Sequence, residues 1–104
     1  MNKKHKAERY HDRLCNKVAN ILKQEGYDVQ THLEYKVNGT SIGEIDVLGY
    51  KDGHLALYEI KGTHSFMNYC KAKKQLDRAV NKYVPTIDKE LIQVDTFYIT
   101  SKDL

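Results

Sequence analysis

The chain has no tryptophan, one proline and two cysteines among its 104 residues. The cysteines, Cys15 and Cys70, show neither a Cys-x-x-Cys spacing nor a spacing with histidine that indicates a metal site. We therefore expect no structural disulfide, no zinc site and a reducing, intracellular location. The single proline, Pro85, follows a long helical pattern and predicts its end.

Long apolar segments are also missing. No apolar run approaches about 18 residues, and no apolar stretch of a signal peptide follows the basic start, so we predict no association with a membrane. With 40% hydrophobic and 30% charged residues, and no repeat or linker, the composition predicts a single domain over residues 1–104. A domain of this size buries a modest core, which one sheet with two helices can provide.

Hydrophobic periodicity and turn signals predict the order αβββαβ. Gly26 fits the C-terminal cap of the first helix, Asn38-Gly39 is a strong turn signal, and Ser65 fits the N-cap of the second helix. The predicted elements are a helix over 5–25, a strand over 28–37, a hairpin over 42–61, a helix over 65–84 and a strand over 92–100. The residues predicted for the inner side of the second helix are Met67, Cys70, Leu76, Ala79, Val80 and Tyr83.

The predicted hairpin carries ionisable residues within two otherwise apolar strands. Glu44 and Asp46 are two residues apart on the first strand, so they point to one face. Glu59 and Lys61 have the same spacing on the second strand. A solvated hairpin face with Glu–Lys pairing is one interpretation. The continuous apolar run 55–58 favours the other, a central strand whose charged groups converge on a cation, because charged side chains are seldom fully buried without a partner.

The motif resembles the signature of a known family. Asp46, followed after twelve residues by Glu59-Ile60-Lys61, resembles the PD-(D/E)xK nuclease superfamily. The segment 43–47 is similar to the Gly-Glu-Ile-Asp motif of its small members, although Ile45 stands where the eponymous proline would be. The order of elements matches over most of the chain. The resemblance implies an α/β fold with a restriction-endonuclease-like αβββαβ core, in which helices flank a mixed central sheet.

The resemblance also implies an activity, a metal-dependent hydrolysis of DNA phosphodiester bonds. Asp46, Glu59 and the carbonyl of Ile60 would hold Mg²⁺, with Mn²⁺ as a substitute, because hard cations take oxygen ligands. The cation would shield the phosphate and acidify a water, and Lys61 would orient that water and stabilise the transition state. Asp46, Glu59 and Lys61 are thus the expected catalytic residues.

Many superfamily members place a further acid on the first helix. Glu8 and Asp12 are four residues apart and share a face. We favour Glu8 as a catalytic residue and metal ligand, because of its phase and because the segment 6–9 resembles the Glu-Arg start of a resolvase helix. Asp12 has the more usual distance from Gly26. The alternative is that both are surface acids that suit the helix dipole.

Positive charge is concentrated in the two predicted helices. Residues 1–17 carry six Lys/Arg against two acids, and residues 61–83 carry six against one, within a chain of net charge +3. Basic faces are often only solvated, but beside a carboxylate metal site they favour phosphate contacts. The residues that we expect to contact nucleic acid are Lys4, Arg9, Lys71, Lys74 and Arg78.

Other residues carry weaker signals. The five histidines show no ligand spacing, so none is predicted to bind metal. Gln75 is followed four residues later by Ala79, whereas an exonuclease-like branch of the superfamily has tyrosine there. The mismatch argues against that branch.

Chain length bears on the substrate. The chain has little length for a separate target-recognition domain, so we expect it to recognise DNA shape rather than sequence. This points to branched DNA, with a Holliday junction as the leading substrate. It also points to a homodimer, since two symmetric cuts need two sites. Two alternatives stay open: a general DNA or RNA nuclease of the same fold, and a nucleic-acid-binding module without catalysis.

Overall fold

The computed structural model describes the backbone of residues 3–104 and the side chains of residues 9–104. The order of elements is the predicted αβββαβ. Among these residues, no helix is long and apolar enough to cross a membrane. The elements are helix α1 (Lys3–Gln24), strands β1 (Asp28–Val37), β2 (Thr40–Lys51) and β3 (His54–Lys61), helix α2 (Phe66–Lys82) and strand β4 (Gln93–Thr100).

The strands form one sheet in the order β1-β2-β3-β4. β1, β2 and β3 are antiparallel neighbours, whereas β4 pairs in parallel with β3. A parallel pair needs a crossover connection, which α2 provides. The fold is therefore α/β with a mixed sheet and two helices. As the apolar run predicted, Leu55, Ala56 and Leu57 of the central strand β3 are all buried.

Turn and cap residues in the sequence predict the ends of several elements. The turn Asn38-Gly39 has φ values of 51° and 80°, and Asp52-Gly53 has 48° and 86°, as in the type I′ turns that follow the twist of antiparallel strands. Gly26 has a φ of 91° and ends α1, where the amide of Tyr27 donates to the carbonyl of Leu22 at 3.0 Å. The Gly26 cap and the Asn38-Gly39 turn are confirmed.

Each helix covers one face of the sheet with its own apolar core. The core under α1 consists of Leu14, Cys15, Val18, Ala19, Leu22, Val47 and Ile60. The core under α2 consists of Tyr35, Ile45, Leu48, Leu55, Leu57, Leu76 and Ala79. The predicted inner side of α2 is wrong at Met67, which is 66% exposed. The helix buries Ala72 instead, because Met67 lies in the first turn on nearly the opposite face.

Gly43 of the Gly-Glu-Ile-Asp motif pairs across the sheet with Tyr35, whose ring lies over it. Tyr35 is 5% exposed, and its ring centroid is 5.6 Å from that of Tyr83, so the ring has little room to move. A methyl group at Gly43 would overlap the Tyr35 hydroxyl. We expect Gly43→Ala to lower the free energy of unfolding by about 1–3 kcal/mol, measured by urea denaturation.

Gly62→Ala is the matched control for this substitution. Its methyl group would face only the ring of Tyr10, which is exposed and can move aside. The expected loss at Gly62 is within about 0.5 kcal/mol. Equal losses at Gly43 and Gly62 would show that the Tyr35 ring does not set the requirement for glycine.

Candidate metal-binding active site

Strands β2 and β3 part in the middle of the sheet. Their pairing begins at the turn and ends at the pair Val47–Tyr58. Beyond it, the amide of Ile60 donates to Oδ2 of Asp46 at 2.8 Å rather than to a carbonyl of β2. The Asp46 carboxylate, at 7% exposure, thus replaces a backbone acceptor and is held where the two strands diverge.

An irregularity in β2 sets the direction of Asp46. Ile45 packs in the core under α2 and Val47 in the core under α1, although residues two apart in a regular strand share a face. On β1, His32 lies opposite Asp46, but the two residues do not pair as their neighbours in the strands do. The backbone of His32 has a φ of 52°, in the left-handed region. The chain changes face at Asp46, which directs the carboxylate into the gap between β2 and β3.

Glu59 and Lys61 on β3 complete the predicted group. Glu59 is 3% exposed, and its Oε2 is 3.7 Å from Nζ of Lys61. Nζ of Lys61 donates to Oε1 of Gln75 on α2 at 3.0 Å. The structure therefore brings Asp46, Glu59 and Lys61 to one site, and the burial of both acids excludes a solvated hairpin face. The contact of Gln75 with Lys61 was not predicted from the sequence.

The two carboxylates differ in their tendency to ionise. Burial opposes ionisation of Asp46, but hydrogen bonds from His11 and from the Ile60 amide outweigh it and lower the pKa of this carboxyl. Burial and the charge of Asp46 raise the pKa of Glu59 to about 8, and Lys61 offsets only part of this effect. Two acids buried together are stabilised by positive charge beside them. The pocket is therefore suited to a cation.

We expect Glu59→Gln to stabilise the protein against unfolding at alkaline pH when chelator is present. The folded-state pKa of Glu59 is raised above its ordinary value of 4.5, so the contribution of this group to stability is complete below 4.5 and is lost as the pH rises toward about 8. The amide of glutamine does not ionise, so the variant does not lose this stability as the pH rises. Relative to the wild type, the variant should gain on the order of 1–3 kcal/mol between about pH 5 and about pH 8.5.

Urea denaturation at the two pH values measures this gain. Glu34→Gln, at an exposed position on β1, is the matched control and should show no such dependence. A gain of the same size at both pH values would show that the charge of Glu59 is not the cause.

A histidine of α1 reaches the same gap. Nε2 of His11 lies 3.2 Å from Oδ2 of Asp46 and 3.0 Å from the carbonyl oxygen of Ile60, and donates to both. The hydrogen bond with Asp46, followed by one with Cys15, raises the pKa of His11 to about 11 against the opposing effect of burial. The ring is thus an imidazolium that supplies positive charge between two of the predicted metal donors.

The position of His11 at the site was not predicted, although the sequence contains a signal for it. His11, Cys15, Val18 and Leu22 stand at i, i+4, i+7 and i+11, so His11 continues the buried stripe of α1 toward its N-terminus. His11 and Cys15 also form a Cys/His pair four residues apart, a spacing that sequence analysis overlooked. The helical phase was the signal that could have found both residues.

Of the two acids predicted as candidate ligands on α1, only Asp12 has a side chain among the described residues. Asp12 is 56% exposed, and its Oδ1 lies 3.3 Å from Nε2 of His32. Nδ1 of His32 lies 3.3 Å from Oε1 of Glu44, so these three residues form a rim beside the site. The contacts of Asp12 are with this rim and not with Asp46. The side chain of Glu8 lies outside the described residues, and its role as first-helix ligand stays a prediction.

An open groove lies along the basic face of α2 and reaches Lys61. Arg78 is anchored to β2, since its Nη1 donates to the carbonyl of Ile42 at 3.2 Å. Lys61 connects the groove to the carboxylate pair through its contact with Glu59. The residues that line the groove are Lys61, Lys71, Lys74, Gln75 and Arg78.

Arg9, a phosphate contact predicted on α1, is not part of this groove. Arg9 lines a separate, shallow surface together with Asp12, Arg13 and Asn16. The side chain of Lys4 lies outside the described residues. Of the predicted contacts whose side chains are described, those on α2 are brought together with Lys61 and Arg9 is not.

Comparison with known proteins bears on the fold. No family model matches the chain, and no curated protein is significantly similar to it. The crystal structure of a protein of unknown function, AF1548, is similar to 88% of the present chain with a TM-score of 0.55 and 20% sequence identity. The matched region covers 47% of AF1548, so the present chain spans less than half of the length of that protein. At this identity the similarity shows the fold alone.

Proposed function

We propose that the chain is a metal-dependent endonuclease of restriction-endonuclease-like fold that hydrolyses phosphodiester bonds in DNA. The observation that carries the proposal is the convergence of Asp46, Glu59 and Lys61 where β2 and β3 part, beside a basic groove. The αβββαβ order, the mixed sheet and the spacing of the three residues in the sequence support the same assignment.

The donors in the gap fit a hard divalent cation. The carboxylates of Asp46 and Glu59 and the carbonyl of Ile60 supply oxygen, and Mg²⁺ takes one or two carboxylates beside water and phosphate oxygens. The imidazolium of His11, which donates to Asp46 and Ile60, marks a position where positive charge is stabilised. Mg²⁺, or Mn²⁺ in its place, would neutralise charge on the phosphate and make a water more acidic.

Lys61 is the protein group that acts on the reacting phosphate. Its Nζ is held by Oε1 of Gln75 and lies near Oε2 of Glu59, on the wall of the groove. From there it donates a hydrogen bond to a phosphate oxygen or to the attacking water. A cation held in place before the reaction stabilises the charge that develops in the transition state. Gln75 is a positioning residue, because it acts through Lys61.

The groove is suited to phosphates rather than to base edges. It is lined by lysines and an arginine beside Gln75, whose side-chain oxygen accepts from Lys61. Cations of this kind contact the DNA backbone without reading its sequence. We further propose that the substrate is branched DNA such as a four-way junction. A homodimer with two sites would cut it symmetrically.

A cleavage assay on nucleic acids of one sequence tests the proposal. The forms are a four-way junction, a flap, a linear duplex, single-stranded DNA and RNA, each with Mg²⁺, Mn²⁺ or chelator. We expect cleavage of DNA only with metal, and faster cleavage of the junction than of the duplex by a protein that sediments as a dimer.

The other outcomes separate the parts of the proposal. A monomer that cuts junction and duplex equally well would remove the junction assignment and retain a general nuclease. Cleavage of RNA alone would reassign the substrate. Tight binding to DNA without cleavage under any metal would overturn the enzymatic function and leave a binding module.

A further inference from the structure

We propose that His11, Cys15 and Asp46 form a transition-metal site that takes Zn²⁺, and that Zn²⁺ bound there withholds Asp46 from Mg²⁺. One donor atom from each of these side chains lies within 4.8 Å of the others. The binding of Zn²⁺ is independent of any nuclease activity. Only its competition with Mg²⁺ rests on the proposed function.

The distances between the donor atoms approach those of a tetrahedral zinc site. Nε2 of His11 is 3.2 Å from Oδ2 of Asp46 and 3.8 Å from Sγ of Cys15. Zinc with bonds of about 2.1 Å to nitrogen and oxygen and about 2.3 Å to sulfur separates its ligands by roughly 3.4–3.6 Å. Both of the distances from Nε2 are within a few tenths of an ångström of these values. The carbonyl oxygen of Ile60, 3.0 Å from Nε2, is a nearby fourth donor.

The types of donor select the metal. Zn²⁺ accepts imidazole nitrogen and thiolate sulfur, whereas Mg²⁺ prefers oxygen and keeps much of its water. His11 and Cys15 are four residues apart on α1 and lie on the same face of the helix. Binding removes one proton from Nε2 of His11 and one from Sγ of Cys15, and both pass to the solvent. A nitrogen–sulfur–oxygen set is typical of zinc rather than magnesium sites.

The two ligands on α1 differ in their exposure to solvent. Cys15 is 0% exposed within the core under α1, whereas the side chain of His11 is 33% exposed. The second cysteine, Cys70, is half-buried on α2 and belongs to no group of metal-ligating side chains in the described part of the chain. It is therefore an internal control.

Cobalt substitution tests the site. Co²⁺ occupies zinc sites, and a thiolate ligand gives it a sulfur-to-metal charge-transfer band in the near ultraviolet. We expect about one equivalent of Co²⁺ to produce this band in the wild type and in Cys70→Ser, but not in Cys15→Ala. His11→Gln should weaken Co²⁺ binding by at least about tenfold. Zn²⁺ should remove the band by displacement, whereas a large excess of Mg²⁺ should not.

Absence of the band in the folded wild type, or its loss in Cys70→Ser, would overturn the site. Persistence of the band in Cys15→Ala would overturn it equally. Thermal unfolding checks that each variant is folded. If Cys15→Ala is not, His11→Gln, which leaves the core under α1 intact, supplies the deciding measurement through its Co²⁺ affinity.

The experiments distinguish an error in the zinc site from an error in the nuclease function. The band without cleavage of any substrate would contradict the nuclease function alone. Mg²⁺-dependent cleavage without the band would contradict the zinc site alone. If both hold, Zn²⁺ should inhibit Mg²⁺-dependent cleavage by the wild type, and Cys15→Ala should need at least about tenfold more Zn²⁺ for the same inhibition.

Discussion

Asp46→Asn, Glu59→Gln and Lys61→Met should each reduce Mg²⁺-dependent cleavage of DNA by at least about 10²-fold. The two acids are almost fully buried at the gap between β2 and β3, where they are the expected metal ligands. Lys61 lines the groove, and in the proposed function it is the cation that contacts the phosphate. Each change nearly preserves the size of the side chain, so the loss reports on charge rather than packing. Single-turnover cleavage of labelled DNA measures it.

Two further measurements and a set of control variants show whether the loss of cleavage is specific to the site. DNA affinity should change by less than about threefold, because in the proposed function the basic groove and not the carboxylates supplies it. Mn²⁺ binding should weaken in the Asp46 and Glu59 variants but not in Lys61→Met. Wild-type turnover in any of the three folded variants would show that the site is misassigned. The matched control variants, all at exposed positions on β1, are Asp28→Asn, Glu34→Gln and Lys36→Met.

Changing Lys71, Lys74 and Arg78 together to glutamate should abolish tight DNA binding while sparing metal binding. These three residues line the groove that leads to Lys61. If each contacts one phosphate, the slope of log affinity against log salt should fall in magnitude by about 2 to 3. Fluorescence anisotropy at several salt concentrations measures both the affinity and the slope.

The matched control reverses the same amount of charge elsewhere. Lys17, Lys23 and Lys36 are exposed and lie outside the groove, so their triple change to glutamate gives the same net charge. Equal losses of affinity in both triple variants would indicate that net charge, rather than the groove, attracts DNA. Because Arg78 also donates to the carbonyl of Ile42, the double variant of Lys71 and Lys74 tests the groove without disturbing that anchor.

Much of the fold could be predicted from local signals. The turn residues Asn38-Gly39, the cap Gly26 and the N-cap Ser65 act within a few residues of themselves, and each lies where it was expected. The apolar run in β3 predicted a central strand because burial on both faces leaves no polar alternation. Met67 is the exception, because it lies in the first turn of α2 on nearly the opposite face from the buried residues of that helix.

The site could be predicted only in part. Asp46, Glu59 and Lys61 lie in a short segment whose spacing is visible in the sequence. The position of Asp46 in the gap depends on where β2 leaves β3, which is a property of the folded sheet. His11 reaches Asp46 across 35 residues of sequence, and Gln75 reaches Lys61 across 14. Long-range contacts of this kind follow from helix packing and not from residue spacing.

The rate at which the purified wild-type protein nicks supercoiled DNA, measured as Mg²⁺ is removed and then restored, tests the central claim most directly. The account predicts that chelation stops nicking, that added Mg²⁺ restores it to a saturating rate, and that Asp46→Asn stays inactive throughout. Nicking that continues in chelator would contradict the account, as would folded protein that leaves DNA intact at every Mg²⁺ and Mn²⁺ concentration.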